Sequence, residues 1–298
     1  MIVVIGSSNT DMVVKTNHLP LPGETVLGGS FFMNAGGKGA NQAVAAARLY
    51  GDVTFIAKVG NDLFGKNAVE LFKAENINTN FIYTDHQHAS GVALITVDKD
   101  GENCIAVASG ANEALHVEEI NAAAHIIAKA DIILMQLEIP LAVIEHVAHF
   151  AHQHQKKLIL NPAPATSLSD ELLSQVSIIT PNEKEASMLT GIDIIDTTSA
   201  KEAALLLAAK GINTIIITLG AAGALVYHEK EFTIVESNIV KAIDTTAAGD
   251  VFNGALSVAL SEDKTMLEAV KFANEAAAIS VTRLGAQASA PHRKELSS

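Results

Sequence analysis

The chain has 298 residues, 49% hydrophobic but only 4% aromatic, so it can bury about 75% of the surface its unfolded form exposes and needs no staple. A net charge of -13 excludes general affinity for nucleic acid, which requires clustered Lys and Arg, and no apolar run approaches the roughly 18 uncharged residues of a membrane span. The single Cys104 excludes an internal disulfide framework and fits a reducing, cytoplasmic compartment.

Met1–Gly6 reads as a buried strand, without the basic start of a signal peptide. From Asp11 to Met33 the pattern changes. Short alternating runs at Met12–Lys15, Thr25–Leu27 and Ser30–Met33 are separated by Pro20, Pro22, Gly23, Gly28 and Gly29, which is hairpin punctuation. A second hairpin is expected at Gly91–Asp98 and Asn103–Ser109, turned by Lys99-Asp-Gly101. Together they predict a small antiparallel sheet set apart from the main body.

From Ala35 onward strands and helices alternate. Helices are expected over Lys38–Tyr50, Gly65–Glu75, Val117–Ala128, Leu141–Gln153, Glu183–Thr190, Ala200–Ala209, Asp250–Leu260 and Met266–Arg283. Buried strands are expected at Val53–Val59, Asp131–Leu137, Lys157–Asn161, Ser177–Thr180 and Thr214–Leu219. Such alternation predicts an α/β fold with a parallel sheet covered on both faces, and ligands bind such sheets beyond the carboxyl ends of the strands. Glu138, Asn161, Asn182, Thr218 and Gly220 fall at those ends.

The most informative stretch is Asp244-Thr-Thr-Ala-Ala-Gly-Asp250, followed at once by an apolar run to Leu260. Thr245 and Thr246 are candidates for the helix start. Ala247, Ala248 and Gly249 are too small to shield their backbone amides, and exposed amides at a helix N-terminus form an anion site. Asp250 beside such a site suits a base that takes a proton from an attacking hydroxyl, although an acid also simply complements the helix dipole there.

Asn34-Ala-Gly-Gly-Lys-Gly-Ala-Asn41 opens a helix but is not a Walker A loop, because Gly39 follows Lys38 where Ser or Thr is required. Bare backbone at Gly37, with Lys38 and Asn41 as donors, suits a hydroxyl-rich ligand; turn chemistry is the alternative. Asn9-Thr-Asp11 adds an amide and a carboxylate just past the first strand, and no dinucleotide-binding glycine fingerprint follows it. Glu138 precedes a helix opened by Pro140, where it either complements the dipole or grips a hydroxyl. Asn182 and Glu185 have the spacing of a capping box, which is compatible with holding a metal-bound water. Thr218-Leu219-Gly220-Ala221-Ala222-Gly223 joins two strands, and its glycines let the backbone pass beside a nucleotide. His146, His149, His152 and His154 drift around their helix and read as structural or solvated rather than metal-binding; Cys104 lacks a basic neighbour.

These motifs, in this order and over essentially the full length, resemble the ribokinase (PfkB) family of carbohydrate kinases. The resemblance implies a doubly wound α/β core spanning 1–298, with lid strands inserted at about 11–34 and 91–109 that cover the sugar and form a homodimer contact. It implies transfer of the γ-phosphoryl of MgATP to the 5-hydroxyl of D-ribose. Asn9, Asp11, Gly37, Lys38, Asn41 and Glu138 would hold the sugar, with Asp250 as base and the amides of Ala247, Ala248 and Gly249 as the anion hole. Asn182, Thr218–Gly223 and Asn274 would meet the nucleotide, Glu185 would act on magnesium through water, and Asp244, Thr246, Ser280, Arg283, Gly285 and Ser289 would surround potassium. Ala221-Ala222 depart from the polar or basic side chain often found in that loop. Related kinases for fructose, deoxyribose, a sugar phosphate or a nucleoside, and a non-catalytic sugar-sensing module, are the competing readings; a sensor has no use for a base at position 250.

Overall fold

Ile2–Ile5 (β1) has no polar side chain and is buried on both faces, as a central parallel strand requires. The computed structural model describes residues 1–297. The chain continues through β2 (Asn9–Lys15), β3 (Ser30–Gly36), α1 (Lys38–Arg48), β4 (Val53–Gly60), α2 (Leu63–Ala74), β5 (Asn78–Asp85), β6 (Gly91–Val97) and β7 (Asn103–Ala108). A 3-10 turn at Gly110–Ala114 leads to α3 (Val117–Ala122), α4 (Ala124–Ile127), β8 (Ile132–Met135), α5 (Leu141–Gln153), β9 (Lys157–Leu160), α6 (Asp170–Ser174) and β10 (Ile178–Ile179). Then come α7 (Glu183–Thr190), α8 (Thr197–Ala209), β11 (Thr214–Thr218), β12 (Ala224–His228), β13 (Glu231–Val235), α9 (Ala248–Ser261) and α10 (Met266–Ser280).

The main sheet has nine strands in the order β13-β12-β11-β10-β9-β8-β1-β4-β5. It is parallel from β11 to β5, and β12 and β13 close one edge antiparallel. Alternation along β1 sends Ile2 and Val4 to the core shared with α1, α9 and α10, and Val3 and Ile5 to the core shared with α3, α5 and α8. The helices are therefore on both faces, as the alternating pattern implies.

Two features bring α9 to the carboxyl ends of the strands. Its residues Val251–Leu260 are all buried. Gly254 lets it lie close to α1, because a Cβ there would sit 2.7 Å from the Gln42 carbonyl oxygen and 2.8 Å from the Ala45 Cβ. That approach places the first turns of α1 and α9 side by side.

The second sheet, in the order β3-β2-β6-β7, is built from both expected hairpins. It is not wholly antiparallel, however: β2 and β6 pair in parallel, since both strands leave the main sheet from its carboxyl edge in the same direction. Thr25–Leu27 forms no strand, because β3 already pairs with β2 along its full length. Polar side chains fix the root of this sheet. Buried Asn112 accepts the Ser8 amide (2.9 Å) and donates to Asn9 Oδ1 (2.7 Å), and Lys58 Nζ reaches the Ala114 carbonyl (2.8 Å) and Glu119 (2.8 Å).

Helix limits differ from the periodicity in explicable ways. The expected helix at 117–128 is broken at Ala123, whose amide is shared between the Glu119 and Ile120 carbonyls (3.2 and 3.0 Å). α1 ends at Arg48, before left-handed Tyr50. α8 starts three residues earlier than position 200, where Asp196 caps the Ser199 amide (2.8 Å). α10 ends at Ser280, short of Arg283. Strand β5 and the short α6 had no clear periodic signal.

Candidate functional site

The start of α9 is unusual. Its N-cap is Ala247, in the left-handed region at φ 59°, rather than Thr245 or Thr246, and no side chain caps it. The Thr246 amide is instead turned to Asp244 Oδ1 (2.9 Å). A left-handed residue directly before the helix tilts successive N–H groups toward one point, a concave anion-binding arrangement. The Ala248 amide makes a long contact to the Thr245 carbonyl (3.3 Å); those of Ala247 and Gly249 have no acceptor among the described residues. A Cβ on Gly249 would meet nothing within 4 Å, so the space before this turn is open.

Asp250 follows in the first turn and is 6% exposed. Its Oδ2 accepts from Asn41 Nδ2 and its Oδ1 from Gln42 Nε2, both at 2.9 Å. Burial pushes its carboxyl upward, against the Lys38 charge and those two hydrogen bonds. Burial pulls the Lys38 ammonium down, but Asp250, Glu138 and Glu185 around it hold it above its ordinary value. One cation thus sits among several carboxylates.

The expected sugar-holding residues converge here. Glu138 Oε2 accepts from the Ser7 hydroxyl (2.5 Å) and the Lys38 amide (2.9 Å), leaving its second oxygen available. Asn9 is oriented by Asn112, which occupies its carbonyl oxygen and leaves its NH2 group. Asp11 packs into the space above Gly36, where a Cβ would lie 2.4 Å from the carboxylate. Its carboxyl is pushed up to about 6 by burial and by the charges of Glu138 and Asp250. Gly37, at φ 88°, approaches the Asn9 amide so closely that a Cβ would sit 2.7 Å away.

Two cavities meet at the start of α9. A smaller one of about 160 Å³ is lined by Lys38, Asn161, Ala163, Thr180, Asn182, Glu185, Thr218, Thr245, Ala247, Ala248, Gly249, Asp250 and Asn253. A larger one of about 520 Å³ shares Asn182, Thr218, Thr245, Ala248 and Gly249 with it. The larger wall is mostly apolar, with Ile239, Val240, Phe252, Ala277, Ala278 and Val281, and it carries Gly220, Ala221, Gly223 and Asn274. Such a wall suits the burial of an apolar-faced group. Leu219 of the same loop packs against the core beneath, and Ala222 is exposed outside the lining. Asn274 Nδ2 donates to the Val235 carbonyl (2.8 Å), so it also fastens the end of β13.

Asn182 and Glu185 form a true capping box (2.8 and 2.9 Å) and both line the smaller cavity. Glu185 is raised above its ordinary value, mainly by burial. The pair thus caps α7 and at the same time forms part of the cavity wall.

Beside the α9 start, Asp244 accepts the amides of Thr246 and Gly285, both at 2.9 Å. Burial would raise its carboxyl, but these donors and the Lys15 charge hold it below its ordinary value. The hydroxyls of Ser280 and Ser289 are turned onto the carbonyls of Ala277 and Ala286, and the Arg283 guanidinium pairs with Glu295 (2.5 Å). A hydroxyl that donates its hydrogen keeps its lone pairs, so the two serines still offer side-chain oxygens, whereas Arg283 offers only its main-chain carbonyl. The carbonyls of Thr246, Arg283 and Gly285 accept no hydrogen bond among the described residues. One ionised carboxylate with such carbonyls is a hard-oxygen donor set that suits a monovalent cation. Among the described residues no three His, Cys, Asp or Glu side chains gather as metal ligands, and His146, His149 and His154 instead bond Asn121, Gln153 and the Phe150 carbonyl.

Sequence reasoning missed Gln42, although it directly follows Asn41, and missed Asn112 and the apolar wall at Ile239–Val240, which carry no motif.

A family model described as pfkB family carbohydrate kinase matches residues 1–293. The chain is 48% identical to a ribokinase of Haemophilus influenzae, covering 99% of this chain and 96% of that relative. Among solved structures, a ribokinase from Thermotoga maritima superposes with TM-score 0.91 at 39% identity, covering 99% and 97% of the two chains. Arabidopsis thaliana ribokinase complexed with ribose and ATP gives TM-score 0.91 at 31% identity, covering 98% and 96%.

Proposed function

The chain belongs to the pfkB carbohydrate kinase family, and on that premise we propose that it is a ribokinase, transferring the γ-phosphoryl of ATP to the 5-hydroxyl of D-ribose. The observation that carries this reading is the buried carboxylate of Asp250, one residue past amides that open onto both cavities.

The base of ATP occupies the larger, apolar cavity along Thr218–Gly223 and Asn274, and its phosphates extend past Asn182 toward the start of α9. Ribose sits between the two sheets, held by Asn9, Asp11, Gly37, Lys38, Asn41 and Glu138. Its 5-hydroxyl oxygen attacks the γ-phosphorus, Asp250 takes the proton, and ADP departs. Phosphoryl transfer needs positioning and charge stabilisation more than covalent chemistry. General base action is worth about 10²–10⁴-fold, and each amide of Ala247, Ala248 and Gly249 aimed at the transferring group is worth roughly 10²–10³-fold. Magnesium, when bound with the nucleotide, neutralises phosphate charge; Glu185, with one oxygen on the Asn182 amide, offers the other to a metal-bound water. Asp244 with Thr246, Ser280, Arg283, Gly285 and Ser289 would hold potassium beside the anion hole. The lone Cys104 and the metabolite substrates fit a cytoplasmic enzyme.

Asp250→Asn should lower kcat at least about a hundredfold with ribose affinity largely kept. Turnover near the parent's would remove the base assignment. The assay is ADP release over a panel of pentoses, hexoses, 2-deoxyribose and nucleosides; preference for another sugar would reassign the substrate, and sugar binding without turnover would favour a sensor.

A further inference from the structure

Asp250 is tied to a chain of buried, uncharged amides. Gln42 Nε2 donates one N–H to Asp250 Oδ1 (2.9 Å) and the other to Asn161 Oδ1 (3.0 Å), while its Oε1 accepts from Gln136 Nε2 (2.5 Å). Gln42 and Gln136 are 0% exposed and Asn161 is 5% exposed. Chemistry dictates these orientations. An ionised carboxylate only accepts, so the NH2 of Gln42 must face it; a flipped amide would set oxygen against oxygen at both Asp250 and Asn161. Asn161 is fixed by its own donation to the Thr180 carbonyl (3.3 Å). Gln136 lies where Gly6 leaves room for it, since a Cβ on Gly6 would come within 2.1 Å of its Oε1.

The two donors on Asp250 are not equivalent. Asn41 lies among the residues that face the sugar, so its bond is exposed to rearrangement when a ligand arrives. Gln42 has all three of its polar contacts inside the protein, and no part of it lines either cavity.

We propose that Gln42, locked in place by Gln136, is a positioning residue whose amide, donated to Asp250 Oδ1, stabilises the ionised form of that carboxylate. This rests on the assignment of Asp250 as the base. A hydrogen bond donated to the charged form lowers a carboxyl pKa, opposing the upward push of burial. The other groups that bear on Asp250 are Lys38 at the start of α1, Glu138 after β8, Glu185 on α7 and Asp11 on β2. They are unchanged when the amide is removed, so a shifted pH profile reports the amide.

The test is the pH dependence of kcat at saturating ribose, where sugar affinity drops out, in Gln42→Met and Gln136→Met, beside the parent and Asp250→Asn. Met keeps the length and volume of Gln without a donor. In Gln42→Met the acid limb should move up by about one pH unit, with most of the lost rate recovered on the alkaline plateau. Gln136→Met, which touches Asp250 only through Gln42, should move the limb the same way by less. A rate lowered equally at every pH, or a limb that stays in place, would overturn the proposal. If Gln42→Met does not fold, the limb of Gln136→Met decides alone. An active Asp250→Asn would defeat the base assignment itself, whereas an inactive Asp250→Asn with unmoved limbs defeats only the role of Gln42.

Discussion

Single residues carry the charge logic of the site. Asp11 is the case with the clearest consequence, because burial and two neighbouring carboxylates push its carboxyl from 3.8 to about 6. Between those values the native protein holds a proton that the unfolded chain has released. Stability contributed by this group therefore falls as pH rises from 3.8 to about 6. Asp11→Asn should flatten that part of the stability curve, measured by denaturant titration across the window. Ribose binding should respond in the opposite sense, since a carboxylate accepts two hydroxyls and its acid form accepts less well. Affinity should be about tenfold weaker at pH 5 than at pH 7 in calorimetry, and Asp11→Asn should remove the dependence. A parent protein whose affinity is flat over this range would show that Asp11 is not a sugar contact. Asp11 was legible as a polar group past the first strand. Its elevated carboxyl was not, because that depends first on burial in the folded protein and then on Glu138 and Asp250, more than a hundred positions away in sequence.

At the scale of elements, the start of α9 joins structure to chemistry. Gly249 has open space before it, so Gly249→Ala meets no protein atom and removes a flexible residue from a helix. The variant should be unchanged in stability or gain roughly 0.5–1 kcal/mol, while the added methyl group intrudes where phosphate is expected. We expect a melting temperature at or above the parent's and a kcat/KM for ATP reduced roughly a hundredfold. Loss of both together would point to a folding role instead. The neighbouring Asp244 loop yields a second expectation. Replacing potassium by sodium at constant ionic strength should lower activity, and equal rates in the two salts would take the cation out of the account. The motif Asp244–Asp250 exposed this element in the sequence because small residues before a helix are unusual. Its true N-cap, Ala247, was hidden: the left-handed turn arises from how Asp244 holds the Thr246 and Gly285 amides.

For the whole molecule, the exposed face of the small sheet is the feature that bears on association. Register places Met12, Val14, Phe31, Met33 and Leu94 on the face opposite to that of Asp11, and Val14, Phe31, Met33 and Leu94 are 36–60% exposed. An apolar sheet face of this kind favours pairing with another copy, with its edges protected in the process. We expect a homodimer at micromolar concentration by sedimentation, and a monomer for Leu94→Asp; a monomeric parent would refute the arrangement. Strand–helix alternation, the two hairpins, the small residues before α9 and the polar residues at strand ends are all legible in the chain as written. Those features are local: they depend on hydrophobic period, turn residues and side-chain size within a few positions. Folding alone reveals that β2 pairs in parallel with β6, that Gly254 draws α9 against α1, and that Gln42, Gln136 and Asn161 meet behind one carboxylate. Contacts between residues so far apart in the chain are set by how packed elements exclude water together, and no local pattern records them.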